Sequence, residues 1–323
     1  MVSQKNYGKG APLRLLPILH LVVNTLNRIL KELPKAYLWI GPCLVVLFLI
    51  TIIPTVFLAI TSLNYWELGY PWAERIWVGI RNYISAFTNR QFLHSIRVTI
   101  VYTLSTVGIE FILGFAIAWF LSRPSLAMRS FLIACLIIPM TVTPSIAGLI
   151  WRLYFNPSYG IVNYVLGKIA HITPNWYSYN MALPSVILVD IWQWTPFVAL
   201  VLLAGLSAIP RSPIEAALVD GADSWQMIRY VFLPLLRPII LIVLILRTMD
   251  ALKMFDVVFS LTGGGPADAT ELLSMHVYRT GFYQSGMVGL ASAMAVVLLI
   301  VIMLFSRVFI RLLGEQETGE GVM

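Results

Sequence analysis

The sequence predicts an all-α integral membrane protein with six transmembrane helices and an N-terminal amphipathic helix at the membrane interface. Of its 323 residues, 59% are apolar and only 11% are charged. The mean hydropathy is +0.83, whereas a soluble domain carries about 25% charged residues to keep its surface hydrated. The apolar residues also fall into long runs. Most of the outer surface must therefore face lipid.

Six runs are long enough to cross a hydrocarbon core of roughly 30 Å, which requires about 20 helical residues. The five clear runs are 37–61, 98–121, 130–151, 183–207 and 286–305. The sixth, 238–261, contains the charged segment 247–256, RTMDALKMFD. Because a central charge costs about 2.5 to 3.5 kcal/mol in lipid, these side chains must face protein or a water-filled path.

The distribution of Lys and Arg predicts the orientation, because cytoplasmic loops retain positive charge. Most of these residues lie in the two termini and in loops 122–129 and 208–237. We therefore expect a multi-pass protein of the bacterial cytoplasmic (inner) membrane with both termini in the cytoplasm. Loops 62–97, 152–182 and 262–285 then face outward.

The two ends of the chain are predicted to lie outside the six-span domain, which we place at 36–312. In the N-terminal segment 1–35, apolar residues recur every three or four positions, which is typical of an amphipathic helix lying in the cytoplasmic interface. These residues are Leu15, Leu19, Val22, Leu26, Ile29 and Leu33. A seventh span is the alternative, although Arg28 and Lys31 would then have to cross the membrane. The acidic, glycine-bearing tail 313–323 is expected to be disordered.

Several classes of function are disfavoured by composition. The net charge of +7 comes from scattered Lys and Arg rather than from a dense basic patch, so no nucleic acid partner is predicted. Cys43 and Cys135 have no Cys or His at ligand spacing, so neither a disulfide framework nor a metal site is expected. The chain also lacks the G-x-x-x-x-G-K-[ST] loop that binds nucleotide phosphates. We expect no catalytic residue and no cofactor on this chain.

Loop 208–237 has signals for two helices separated by a turn. Ser212 and Glu215 have the spacing of a capping box, with Pro213 in the first turn. Gly221 is a suitable stop, and Asp223 with Gln226 repeats the box before a second helix running toward Leu233 and Pro234. Small alanines on the first helix would allow another protein to approach closely.

This loop resembles the EAA loop of permease subunits of binding-protein-dependent ATP-binding-cassette importers. That family's pattern is Glu-Ala-Ala, three residues, Gly, nine residues, Ile, one residue, Leu-Pro, and Val231 stands here at the isoleucine position. The resemblance implies a type I importer permease fold. It also implies a second, different permease subunit, two ATPase subunits that carry ATP and Mg, and an extracytoplasmic solute-binding protein. The implied ATPase-coupling residues are Glu215, Ala216, Ala217, Asp220, Gly221, Ala222, Leu233 and Pro234.

A solute path is predicted where spans contain residues that lipid would reject. In the fifth span, Arg247, Asp250 or Ala251, and Met254 lie at spacings of three and four. In the fourth, aromatic residues and Gln193 surround Pro196. Aromatic faces suit sugar rings, and Gln, Asp and Arg can bond hydroxyls. Alternatively, Arg247 and Asp250 form a buried structural ion pair. Glu110 and Asp190 are interpreted as interhelical hydrogen-bonding groups.

A second resemblance narrows the family to maltose-type sugar permeases. Gly263, Gly264, Gly265 and Pro266 are similar to a turn of that group, as is segment 156–167, NPSYGIVNYVLG. The maltose permease itself differs in having extra N-terminal spans and a large external insertion. The resemblance implies sugar contacts at Gln193, Trp194, Phe197, Arg247, Asp250, Ala251 and Met254.

We therefore hypothesise a permease subunit for ATP-driven import of a carbohydrate, such as an oligosaccharide, including acidic ones derived from alginate. Polyols and glycerol phosphates are alternative substrates. An ion-coupled secondary transporter using Asp190 or Asp250 would leave the EAA-like loop unexplained. A membrane-embedded enzyme would need a paired nucleophile and base or a metal cluster.

Overall fold

The computed structural model describes residues 35–123, 126 and 128–317, with side chains from residue 39 to residue 311. The predicted amphipathic helix in segment 1–35 lies outside the described side chains. The chain has two compact units, with the boundary between Phe57 and Leu58. The helices are α1 Lys35–Ser62, α2 Arg81–Thr88, α3 Arg90–Leu121, α4 Arg129–Thr141, α5 Pro144–Tyr154, α6 Ile161–Ile169, α7 Tyr179–Ala208, α8 Arg211–Val219, α9 Ser224–Gln226, α10 Leu233–Leu252, α11 Asp256–Leu261, α12 Leu273–Tyr278 and α13 Val288–Glu317.

The part of the chain that the structure describes contains six candidate membrane spans when one bent pair of helices is taken as a span. Five helices are long and apolar enough to cross on their own, and α4 with α5 forms the sixth. The predicted all-α membrane fold with six spans is therefore confirmed. In the described residues, β structure is confined to an antiparallel pair after α1, in which Asn64 faces Trp77 and Tyr65 faces Ile76.

The predicted span 130–151 is bent by 96° between α4 and α5 rather than straight. The break falls at Val142 and Thr143, both of which have extended backbone angles. Pro144 explains the position of the break, because a proline disfavours helical angles in the residue before it. The Val142 carbonyl, which has no helical partner at the break, accepts a hydrogen bond of 2.6 Å from Gln193 Nε2 on α7.

The fifth span begins and ends earlier than the predicted 238–261. A π turn, Met227–Phe232, joins α9 to α10, so that Ser224–Leu252 forms one 29-residue helix. A proline inside a helix normally clashes with the carbonyl four residues before it, which for Pro234 is that of Tyr230. Because Tyr230 lies in the wider π turn, the helix continues past Pro234. The helix stops at Leu252, and α11 follows as a separate short helix.

Helices α3, α7 and α10 pack closely because small residues lie at their contacts. A Cβ added at Gly114 on α3 would be 2.7 Å from Val198 Cγ1 on α7. A Cβ added at Gly205 on α7 would be 2.6 Å from Ile239 Cδ1 on α10. These approaches hold three spans together around a common core, as is typical of helix packing within membranes.

The last helix is longer than expected. α13 continues through Glu317, whereas the sequence predicts a disordered tail from residue 313. Apolar residues with helix-forming neighbours precede this point without a proline, so nothing in the sequence stops the helix at Leu312.

Candidate functional site

A buried charge cluster joins three spans at the predicted solute path. Arg247 on α10 donates from Nε to Glu110 Oε2 at 2.7 Å and from Nη2 to Glu110 Oε1 at 2.8 Å. Glu110 belongs to α3. Arg247 Nη2 also donates to Asp190 Oδ2 on α7 at 2.9 Å. The interpretation of Glu110 and Asp190 as interhelical hydrogen-bonding groups agrees with these contacts.

The cluster is sealed from its surroundings. The side chains of Arg247, Glu110 and Asp190 are at most 1% exposed. The Arg247 guanidinium carbon lies 5.1 Å from the ring centroid of Trp194, in cation–π contact. Because the desolvation cost of a buried ion is several kcal/mol, only the bidentate geometry and the second carboxylate make this placement tolerable.

The cluster also contains a buried donor, Arg247 Nη1, that has no hydrogen-bond partner among the described residues. An unsatisfied buried polar group costs about 1 to 3 kcal/mol. The arrangement therefore joins the helices strongly while leaving some hydrogen-bonding capacity unused.

The alternative of a buried Arg247–Asp250 ion pair is wrong. Asp250 instead pairs with Lys253 at 2.9 Å, and both side chains are substantially exposed. Arg247 faces the protein interior, where two carboxylates from other helices bind it. Asp250 lies three residues further along α10, so the five charges form one buried group of three and one exposed pair.

The other predicted path residues differ in their surroundings. Gln193 is buried and occupied by its bond to Val142, while Trp194 packs edge-on against Phe197 with ring centroids 6.3 Å apart. Ala251 and Met254 are buried in the apolar core that also contains Val257. Thus only Asp250, Trp194 and Phe197 of the predicted set retain exposed surface in this structure.

The EAA-like loop forms two helices around a tight turn, as its sequence predicts. Gly221 has φ +76°, a conformation that favours glycine. The predicted capping box is present at Asp223, whose side chain accepts from Gln226 N at 2.7 Å while Gln226 Oε1 accepts from Asp223 N at 2.9 Å. Asp223 therefore starts α9 directly after the turn.

The predicted cap of the first helix is wrong. α8 begins at Arg211, its cap residue is Pro210, and there is no side-chain cap bond. Pro210 has extended backbone angles that place the start of the helix immediately after it, which leaves Ser212 inside the first turn. Glu215 and Ala216 are exposed on α8, whereas Ala217 packs against the core below.

A second ionic cluster, which was not predicted from the sequence, lies in segment 262–285. Glu271 binds His276 Nδ1 at 2.7 Å and accepts from Arg279 Nη1 at 2.6 Å. Burial raises the pKa of the Glu271 carboxyl, but the hydrogen bond with His276 and the charge of Arg279 outweigh burial and hold this pKa below its ordinary value. Gly264, with φ +88°, lies against Arg279, so the cluster supports the glycine turn. The available signal was the presence of one Glu, one His and one Arg within residues 271–279.

The chain is similar to known proteins along most of its length. Residues 110–316 match the family described as binding-protein-dependent transport system inner membrane component. The matched segment includes the buried charge cluster and the EAA-like loop. The chain belongs to this family. It is therefore a transmembrane permease subunit of a transport system.

Two relatives match the permease over nearly their whole length. The trehalose/maltose transport system permease protein MalF of Thermococcus litoralis is 36% identical over 282 residues, which cover 87% of this chain and 94% of the relative. The sulfoquinovosyl glycerol transport system permease protein SmoG of Agrobacterium fabrum is 36% identical over 285 residues, covering 87% and 91%.

A solved structure has the same fold as the permease. A chain of a bacterial ABC transporter involved in the import of the acidic polysaccharide alginate superposes with a TM-score of 0.73 at 24% identity. The match covers 88% of this chain and 99% of that chain. The importer permease fold implied by the sequence resemblance is thereby confirmed.

Proposed function

We propose that this permease forms part of the membrane path of an ATP-binding-cassette importer for a carbohydrate. The observation that carries the proposal is the 36% identity, over 87% of the chain, to a permease protein of a trehalose/maltose transport system. A second relative at 36% identity belongs to a system for sulfoquinovosyl glycerol. Both names refer to glycosides, which favours a carbohydrate over an amino acid or a peptide.

The EAA-like loop is the proposed contact with the ATPase subunits, which supply ATP hydrolysis that this chain is not expected to perform. Its first helix presents Glu215 and Ala216 to solvent. Val219, Trp225 and Tyr230 add exposed apolar surface, with Val219 being 86% exposed. An exposed apolar patch with adjacent acidic groups is suited to a protein partner.

A continuous path of packed elements can transmit motion from this loop to the charge cluster. Ala222 N donates to Ala217 O at 2.9 Å across the Gly221 turn. The following helix runs without interruption to Leu252 and contains Arg247, which is bonded to α3 and α7. In this proposal, closure of the ATPase subunits displaces α8 and thereby moves three spans together.

The charge cluster favours a neutral rather than an acidic substrate. The guanidinium of Arg247 is already bound by two carboxylates and is 1% exposed. An anionic sugar would have to compete with both of them. Near the path, exposed Asp250 is paired with Lys253, so this pair brings no net charge to attract an anion. We therefore propose a neutral saccharide, with polyols and acidic oligosaccharides as competing outcomes of the test.

In the assembled importer, we propose that the permease pairs with a second, different permease subunit and two ATPase subunits. An extracytoplasmic binding protein would deliver the carbohydrate. The positive residues of the termini and of loop 208–237 support an orientation with both termini in the cytoplasm.

The test is uptake by the complex purified from its native host and reconstituted in proteoliposomes with its binding protein. The panel contains two neutral disaccharides, trehalose and maltose, with a polyol and an alginate pentasaccharide as the competing substrates. We expect ATP-dependent uptake of a neutral sugar, which is lost in the double variant Glu215→Lys, Gly221→Pro. The control is Glu74→Lys, an exposed acidic residue in the predicted outward loop. Uptake driven by an ion gradient without ATPase activity, or full activity of the double variant, would refute the proposal.

A further inference from the structure

Four aromatic side chains contact one another beside the end of α10. We call Phe259, Phe255, Tyr278 and Phe282 the aromatic ladder. Phe255 and Phe259 are stacked with centroids 5.3 Å apart, and Tyr278 lies 5.1 Å from Phe255. Tyr278 is also 6.0 Å from Phe282. Phe259 is also 5.8 Å from Tyr278, so three of the rings contact one another. Phe282, in the π turn Arg279–Tyr283 that follows α12, extends this group.

The ladder lies where the chain leaves one helix and enters the next. α10 ends at Leu252, α11 begins at Asp256, and Phe255 is the cap residue between them. Ser274 on α12 donates from its hydroxyl to the Met254 carbonyl and holds this break against α12. The break therefore lies at the end of the fifth span, directly after Leu252.

Burial differs sharply between the two faces of α11. Val257, Val258 and Leu261 are at most 1% exposed, whereas Phe259 is 48% exposed. Phe282 at the other end of the ladder is 58% exposed. Two rings of the ladder are therefore exposed on the surface of the chain, although the neighbouring apolar residues of α11 are fully buried.

Charged and hydroxyl groups flank this exposed aromatic surface. The Asp250–Lys253 pair lies one turn before Phe255, and the Lys253 side chain is 63% exposed. Asp256 accepts a hydrogen bond of 3.3 Å from Ser145 on α5. A surface that contacts lipid tails would not contain exposed Lys and Asp side chains next to its rings. Aromatic faces with adjacent carboxylate, ammonium and hydroxyl groups match the apolar faces and hydroxyl edges of a saccharide.

We infer that the aromatic ladder is a saccharide-stacking subsite at the end of α10, which shares only Asp250 with the predicted sugar contacts. Sugar rings stack on Phe259 and Tyr278, and the Asp250–Lys253 pair and Asp256 bond their hydroxyls. This inference rests on the proposed carbohydrate import and adds a second place of contact to it.

The experiment compares variants that retain apolar volume with variants that retain a ring. In the reconstituted complex, KM and maximal rate are measured for the panel sugar with the highest uptake. Phe259→Leu and Tyr278→Leu remove the stacking face, and we expect each to raise KM about fivefold. Phe259→Tyr retains a ring and should remain within about twofold of the unchanged protein. Phe131→Leu is the matched control, since Phe131 is 59% exposed on α4, away from the ladder.

A labelling measurement tests direct contact in the same complex. Phe259→Cys is introduced after Cys43 and Cys135, both exposed, are replaced by Ser. We expect a maleimide to label position 259, and the transported sugar with its binding protein to slow that labelling. The same sugar should not protect Phe131→Cys.

The outcomes separate this inference from the proposed function. Sugar uptake with an unchanged KM in Phe259→Leu overturns the subsite alone, and so does equal impairment in Phe131→Leu. Position 259 that resists labelling with and without sugar indicates cover by lipid or by the second permease and also overturns the subsite. Absence of uptake for every panel sugar refutes the proposed function, and the subsite with it.

Discussion

Arg247 on α10 and Glu110 on α3, separated by 137 residues in the chain, form a bidentate ion pair with both N–O distances below 3 Å. Asp190 on α7 adds a third span to the same guanidinium. In lipid, isolated charges of this kind are among the most costly residues to bury. Their mutual pairing makes the three helices depend on one another for stability.

Replacing Arg247 should destabilise the protein strongly. Arg247→Met leaves Glu110 and Asp190 buried without a cation, and loss of one member of a buried pair costs about 3 to 5 kcal/mol. Thermal unfolding of the purified chain in detergent measures the effect. Lys253→Met is the matched control, because its exposed pair with Asp250 should contribute less than about 1 kcal/mol. Equal unfolding temperatures for the two variants would show that the buried cluster has no special role.

Neutralising the whole cluster should restore part of that stability. Adding Glu110→Gln and Asp190→Asn to Arg247→Met removes the two uncompensated carboxylates, and buried ion groups replaced by uncharged ones are often no less stable. We expect the triple variant to unfold at a higher temperature than Arg247→Met alone. A triple variant less stable than the single variant would mean that Glu110 and Asp190 have other essential partners.

The sequence predicted the six spans because each depends only on a local run of apolar residues. It also predicted that Arg247 must face protein or a water-filled path, since lipid would reject it. It did not predict which residues bind Arg247. Periodicity within a helix identifies a face but not the helix opposite, and Asp250 was the nearest carboxylate in the chain. The partners, Glu110 and Asp190, were visible only as single acids in other apolar runs.

Of the two helix caps predicted from local sequence, one is present and one is not, because each depends on the residues that come before it. Asp223 and Gln226 formed the predicted box because the turn at Gly221 leaves the start of α9 free. Ser212 did not cap α8, because Pro210 fixed the start of that helix first. The bend before Pro144 was readable from the proline, but the bond that stabilises it comes from Gln193 on a distant helix.

The contact between α3 and α7 should not tolerate a side chain at Gly114. An added Cβ would lie 2.7 Å from Val198 Cγ1 and 3.1 Å from the Ala199 amide nitrogen, and backbone cannot easily move away. We expect Gly114→Ala to destabilise the protein by about 1 to 3 kcal/mol. Gly108→Ala, on the same helix with nothing within 4 Å of an added Cβ, is the control and should be neutral or slightly stabilising. Thermal unfolding of both variants, side by side, measures the difference.

Acidification should weaken the segment that contains the glycine turn. The pKa of Glu271 lies below its ordinary value of 4.5, so its ionised form is favoured in the folded protein. The resulting stabilisation is complete above the ordinary pKa and is lost as the pH falls through the lowered folded value. Glu271→Gln cannot ionise, and its unfolding temperature should therefore fall less than that of the unchanged protein from about pH 5 downward. Glu74→Gln, an exposed carboxylate in the loop after α1, is the control and should follow the unchanged protein. If Glu271→Gln keeps the full acid dependence, the ion pairs with His276 and Arg279 do not stabilise this segment.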